Sequence, residues 1–235
     1  MTCAEVMREL EGLGSEQTRK VLRRHGMPDN AFGVKVEDLK KLLKRLKGDH
    51  ALALALWETG NSDARYLAGL LADAARLTEA ELEHWADTAD WQMLAEYSVA
   101  GCAADSPHGW TLGLRWIESA RELTAAAGWA TLAGHVAVTP DERLDLGVLR
   151  GLLERIRQRL GASPDRVRYT MNGFVIAVGG HVEALRGEAL AVAAAVGTVR
   201  VDMGGTACQV PDAAVYIARM VDKGTAGRRR KTARC

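Results

Sequence analysis

A chain of 235 residues with 48% hydrophobic content can bury a full core, as one domain or as two closely joined ones. It has no run of 18 or more uncharged apolar residues to span a membrane, and its start, MTCAEVMREL, lacks the basic and apolar regions of a secretory signal, so a cytoplasmic protein is expected. The net charge of +1 conceals segregation: residues 15–48 carry ten Lys/Arg against four acids, residues 49–105 two against eleven, and residues 222–235 six against one. Basic groups gathered in this way can face phosphates even in a nearly neutral protein, although clustered charges also arise on ordinary solvated helix faces.

The apolar period is helical almost everywhere. Helices are predicted over 3–12, 15–25, 36–46, 49–59, 62–74, 79–88, 90–104, 107–119, 121–136, 141–160, 164–178, 180–196 and 212–222. In 36–46, Val36, Leu39, Leu42, Leu43 and Leu46 recur at helical spacing, with Lys40, Lys41, Lys44, Arg45 and Lys47 mostly on the opposite side. Ser15, Ser62, Thr78 with Glu81, Asp90, Ser106 and Thr139-Pro140-Asp141-Glu142 are expected to open helices. Connections are short, so successive helices should pack antiparallel.

One pattern occurs twice. WETGNSDARYLAG (57–69) is echoed by WIESARELTAAAG (116–128): a Trp closes one helical run, a Ser-containing break with an acid follows, and a Gly lies twelve residues after the Trp. Repeated helix pairs predict an all-α solenoid of the HEAT/ARM kind, occupying residues 1–222 as a single domain.

Two segments leave the helical period. Residues 199–210, VRVDMGGTACQV, alternate Val199, Val201 and Met203 before Gly204-Gly205, which reads as a short β-hairpin or extended arm, or else as a loop between helices. Residues 223–235, KGTAGRRRKTARC, show no apolar periodicity, and their Arg228, Arg229, Arg230, Lys231 and Arg234 suit a flexible tail that a polyanion would order.

Cys3, Cys102, Cys208 and Cys235 lie far apart without a C-x-x-C pair, so reduced, independent thiols are expected. His84, His108, His135 and His181 form no i, i+4 ligand pair, and neither Gly179-Gly180 nor Gly204-Gly205 belongs to a phosphate-binding loop. No metal and no cofactor are expected.

Phe32-Gly33-Val34-Lys35, the basic helix, Ala53-Leu54-Ala55-Leu56-Trp57, Asp63-Ala64-Arg65-Tyr66-Leu67-Ala68, Asp90-Trp91 and Val175-Ile176-Ala177-Val178-Gly179, in that order, resemble the bacterial DNA alkylation repair family of AlkD type. The resemblance covers roughly residues 20–196. It implies a right-handed superhelix of HEAT-like helix pairs, a monomer whose basic concave face holds double-stranded or structured DNA. Catalytic members of that family are monofunctional glycosylases that remove alkylated purines without drawing the base into a deep pocket. A carboxylate beside the sugar stabilises the positive charge that develops as the bond breaks.

The family's catalytic Asp stands four residues after a Trp. Here Trp91 matches, but Ala95 holds that place and Glu96 follows it; Ala125 and Ile176 stand where the family has an Arg and a second Trp. The candidate catalytic residues are therefore Glu96 as electrostatic stabiliser, with Trp91 and Asp90. The candidate DNA-binding residues are Lys40, Lys44, Arg65, Arg166, Arg168, Tyr169, Asn172, Arg228, Arg229, Arg230, Lys231 and Arg234. Trp91 could equally be a packing residue, Arg65 could pair with Asp63 or Asp73, and Arg166 and Arg168 could simply be solvated. A non-catalytic binder of DNA structures and a protein-interaction scaffold are the alternatives to a glycosylase.

Overall fold

The structure is a computed structural model that describes residues 1–46 and 48–234; Lys47, read above as part of the basic helix, and Cys235 lie outside the described residues. Thirteen α-helices follow one another among the described residues, without a strand. They are α1 (Cys3–Leu13), α2 (Glu16–Arg24), α3 (Val36–Leu46), α4 (His50–Glu58), α5 (Ser62–Leu71), α6 (Glu79–Thr88), α7 (Ala100–Asp105), α8 (Gly109–Trp116), α9 (Glu122–Val138), α10 (Leu146–Arg159), α11 (Asp165–His181), α12 (Arg186–Val196) and α13 (Ala213–Asp222). A π-helical turn, Leu94–Val99, runs directly into α7.

Side-chain caps fix where several helices begin. Thr2 with Glu5 and Thr78 with Glu81 form reciprocal capping boxes at α1 and α6, and Ser15, Asp49, Asp145 and Asp212 cap α2, α4, α10 and α13. Asn61 rather than Ser62 caps α5, accepting from the amides of Asp63 and Ala64 at 3.0 and 3.1 Å. The predicted helix 141–160 is divided, because Asp145 captures the Val148 amide and starts α10 afresh after a single 3-10 turn. Ser106 closes α7 instead of opening α8.

The helices form two layers. Helices α3, α5, the π turn with α7, then α9, α11 and α13 each pack on the next, while α4, α8 and α12 back α5, α9 and α11. This is the expected all-α solenoid of helix pairs. Its core lies between the layers and is rich in Trp: Trp57 stacks on Trp85 at 4.2 Å and 8°, and Trp129 meets Phe174 edge-on at 5.4 Å.

The repeated Trp-to-Gly spacing serves packing, differently in each copy. A Cβ on Gly128 would lie 2.7 Å from the Ile117 nitrogen, so this glycine lets α9 cross its own partner α8. A Cβ on Gly69 would lie 2.5 Å from the Ser98 side chain, so that glycine admits the next repeat instead.

Residues 199–210 form neither hairpin nor strand pair; they are an irregular connection between α12 and α13. The alternation in sequence is real but has another cause. Val199 and Val201 rest on the core while Arg200 and Asp202 face outward, so one extended strand of chain has a buried and an exposed edge without a second strand to bond it. The segment is held part-way along by side chains: the Asp202 amide donates to Asp165 at 2.6 Å, and Arg166 reaches the Met203 sulfur at 3.8 Å.

Residues 223–234, expected to stay free, make specific contacts. They run across the carboxyl ends of α11, α9, α7 and α5 in turn. Ion pairs and carbonyl acceptors order this segment without the apolar burial it lacks.

Candidate nucleic-acid interface

The inner layer lines a concave cavity of about 500 Å³, bounded by the π turn, α9, α11, α13 and the carboxyl-terminal segment. Its floor is made of small residues, among them Ala130, Ala133, Gly134, Ala137, Gly173 and Ala177, which leave room between the helices. Polar and aromatic groups rim it: Glu96, Tyr97, Tyr169, His181, Tyr216 and Arg230.

Glu96 stands in the π turn. The Ala100 amide donates five residues back to the Ala95 carbonyl, so the helix is locally widened by one residue, a feature that recurs at functional sites. Ala95 packs in the core at 1% exposure, and the acid one place later borders the cavity. The single-residue offset noted in the sequence therefore falls where the helix accommodates an additional residue.

The Glu96 carboxylate is not open to a ligand. Arg166 donates to it from Nε at 2.7 Å and from Nη2 at 2.6 Å, one bond to each oxygen. The Glu96 side chain is 3% exposed and that of Arg166 16%. Burial pushes the Glu96 carboxyl up and the two bonds from Arg166 oppose that shift; for Arg166, burial favours the neutral form but Glu96 outweighs it and raises its pKa. The forked geometry, with one N–H to each Glu96 oxygen, is the bidentate arrangement that suits a carboxylate facing a guanidinium. Arg166 also lies 4.4 Å from the centre of the Tyr169 ring, and burial, with the Glu96 charge, pushes the Tyr169 phenol above its usual range.

The other candidate catalytic residues are elsewhere. Trp91 is 4% exposed and packs in the core, its indole donating to the His25 carbonyl at 2.8 Å; it does not line the cavity that Glu96 borders. Asp90 is exposed on the surface, 3.5 Å from Arg65. The structure thus does not bring Glu96, Trp91 and Asp90 together.

Several candidate DNA contacts have structural tasks. Arg65 donates to the carbonyls of Trp57 and Thr88 at 3.1 and 2.9 Å and lies over the Trp57 ring, tying α5 to its neighbours. Asp63 is not its partner: its carboxylate accepts from the amides of Phe32, Gly33 and Val34 at 2.7, 3.0 and 3.0 Å. The Phe32-Gly33-Val34 motif and Asp63 are therefore two halves of one buried anchor. Arg168 pairs with Asp165, and Asn172 is 5% exposed with its amide donating to Pro211 at 2.8 Å. Arg229 pairs with Asp141, and Arg234 with Asp105. Lys40, Lys44, Arg228, Arg230 and Lys231 are exposed, and no acid pairs with them among the described residues.

Sequence reasoning passed over Tyr97, His181 and Tyr216. None has a local signature; each reaches the rim because inner helices distant in sequence converge there. Among the described residues no group of three or more His, Cys, Asp or Glu could hold a metal ion, and no helix is long and apolar enough to cross a membrane. Cys3, Cys102 and Cys208 are unpaired, and burial pushes the Cys102 thiol up to about 12.

A sequence profile described as DNA alkylation repair enzyme matches residues 6–201. An uncharacterized protein of Listeria innocua is 35% identical over 217 residues, covering 90% of this chain and 93% of the relative. One from Listeria monocytogenes shows the same identity and coverage. A solved structure superposes with a TM-score of 0.90 at 32% identity, covering 100% of both chains; it is described as belonging to a new family of proteins related to the HEAT-like repeat DNA glycosylases with affinity for branched DNA structures.

Proposed function

We propose that this chain, which belongs to the DNA alkylation repair family, binds branched DNA and does not excise bases. One observation carries the second half of the reading: both oxygens of Glu96 are held by Arg166. A carboxylate can stabilise a developing sugar cation only if its charge is felt there, and a guanidinium clamped on it cancels most of that field. Among the described residues no other carboxylate borders the concave cavity. The first half is supported by the solved relative with affinity for branched DNA, which matches this chain along its whole length.

Binding of this kind relies on the phosphate backbone. Lys40 and Lys44 on α3, with Arg228, Arg230 and Lys231 on the carboxyl-terminal segment, are exposed cations available for it. The protein would act as a monomer.

The test pairs two assays on the same purified protein. Alkylated duplex DNA should release no methylpurine under conditions where an active glycosylase does, and a four-way junction should be bound more tightly than a linear duplex of equal length, with affinity falling steeply with salt. Base release that disappears in Glu96→Gln would establish the enzyme reading instead. Absence of DNA affinity even at low salt would leave a protein-interaction scaffold.

A further inference from the structure

The carboxyl-terminal segment crosses the solenoid against the direction of the repeats. The Gly227 amide donates to Gly180 at the end of α11 at 2.8 Å, and His181 Nδ1 bonds the Arg228 carbonyl at 2.8 Å. At the end of α9, the Arg230 amide donates to Ala137 at 2.9 Å and Arg229 to Val136 at 3.0 Å, with Asp141 as its ion-pair partner. At the end of α7, Asp105 takes the Ala233 amide at 2.7 Å, the Arg234 Nε at 3.1 Å and the Thr232 hydroxyl. Arg234 then extends to the Ala72 carbonyl capping α5, at 2.6 Å.

The lengths agree with such a path. Seven extended residue steps from Gly227 to Arg234 reach about 23 Å. Three interhelix spacings of about 8–10 Å each come to slightly more, and the long Arg234 side chain covers the remainder. The helix surface is cut to fit: a Cβ on Gly101 would lie 2.8 Å from the Arg234 side chain, and one on Gly134 would lie 3.0 Å from that of Ala233. The anchoring arginines sit where carbonyls and the helix dipole favour cations.

We propose that residues 227–234 are a fixed cationic strap, in which Arg229 and Arg234 are anchors and Arg228, Arg230 and Lys231 form an ordered phosphate-binding row for one strand of the bound DNA along the rim of the concave face. The row rests on the DNA-binding reading above; the strap itself does not. Arg230 already borders the cavity, and the three row residues are the members of the segment whose side chains no acid neutralises among the described residues.

The anchors provide a test of opposite sign. Asp105→Asn with Asp141→Asn removes two negative charges, so a loose tail acting by charge alone would bind DNA more tightly. The strap requires weaker binding to a four-way junction, by about threefold or more, because the row is no longer held in register. Replacing Arg228, Arg230 and Lys231 by Ala should lower the slope of log affinity against log salt by about 2–3. Limited trypsin digestion, which needs no DNA, should cut after these residues slowly in the native protein and faster in the double Asn variant. Unchanged or tighter binding by the double Asn variant, or an unchanged salt slope in the triple Ala variant, overturns the phosphate row. Equally fast digestion of native and double Asn proteins overturns the strap. A native protein that resists digestion but has no DNA affinity refutes the DNA reading, and the row with it, while the strap stands.

Discussion

Replacing Glu96 by Gln isolates the interaction on which the functional reading turns. The substitution keeps shape and one acceptor oxygen but removes the charge that Arg166 faces from 2.6–2.7 Å. Breaking a buried pair by removing one partner costs about 3–5 kcal/mol. Arg166 retains 16% exposure and its contact with the Tyr169 ring, and the Gln oxygen keeps one bond, so the lower end, about 3 kcal/mol, applies. For a chain of this size that loss lowers Tm by about 6–12 °C. Thermal denaturation followed by circular dichroism measures it. Arg166→Met added to Glu96→Gln should recover part of the loss, because the orphaned charge is then gone. A Glu96→Gln protein as stable as the native one would refute the buried pair as described, and with it the reason for excluding Glu96 from catalysis.

Asp63→Ala should strip the acceptor from the amides of Phe32, Gly33 and Val34; at about 1–3 kcal/mol per unsatisfied buried group, a loss of at least about 3 kcal/mol is expected in denaturant unfolding. Gly128→Ala places a Cβ 2.7 Å from backbone, and strain of about 1–3 kcal/mol should appear in the same assay without loss of helical signal. Burial depresses the pKa of His135 and His181, so the folded protein disfavours their charged forms. Their contribution to stability is full above the unfolded value of about 6.5 and declines as pH falls through the lower folded values. Tm measured from pH 7.5 to 5 should therefore fall more in the native protein than in a His135→Gln, His181→Gln variant; parallel profiles would show that neither group is linked to folding.

The solenoid was legible because its signals are local: a 3.6-residue apolar period, short connections, and caps such as Ser15 and the Thr78–Glu81 box. The concave face was not, because its chemistry is made by partners far apart in the chain. Glu96 and Arg166 are 70 residues apart, and Arg234 finds Ala72 across 162. Residues 222–235 are basic by composition, but composition does not reveal that Arg229 and Arg234 are matched to Asp141 and Asp105. The 199–210 alternation left a hairpin and a loop both open, and the structure has the loop: a period of two records one buried edge, and a hairpin needs a second strand besides. The Trp91–Glu96 offset was visible in sequence; its accommodation by a π turn required the backbone.

The most direct test of the account is a single comparison on one preparation: base release from alkylated DNA against affinity for a four-way junction. Junction binding should be tighter than duplex binding and salt-sensitive, with no methylpurine released. Released base, dependent on Glu96, would contradict it.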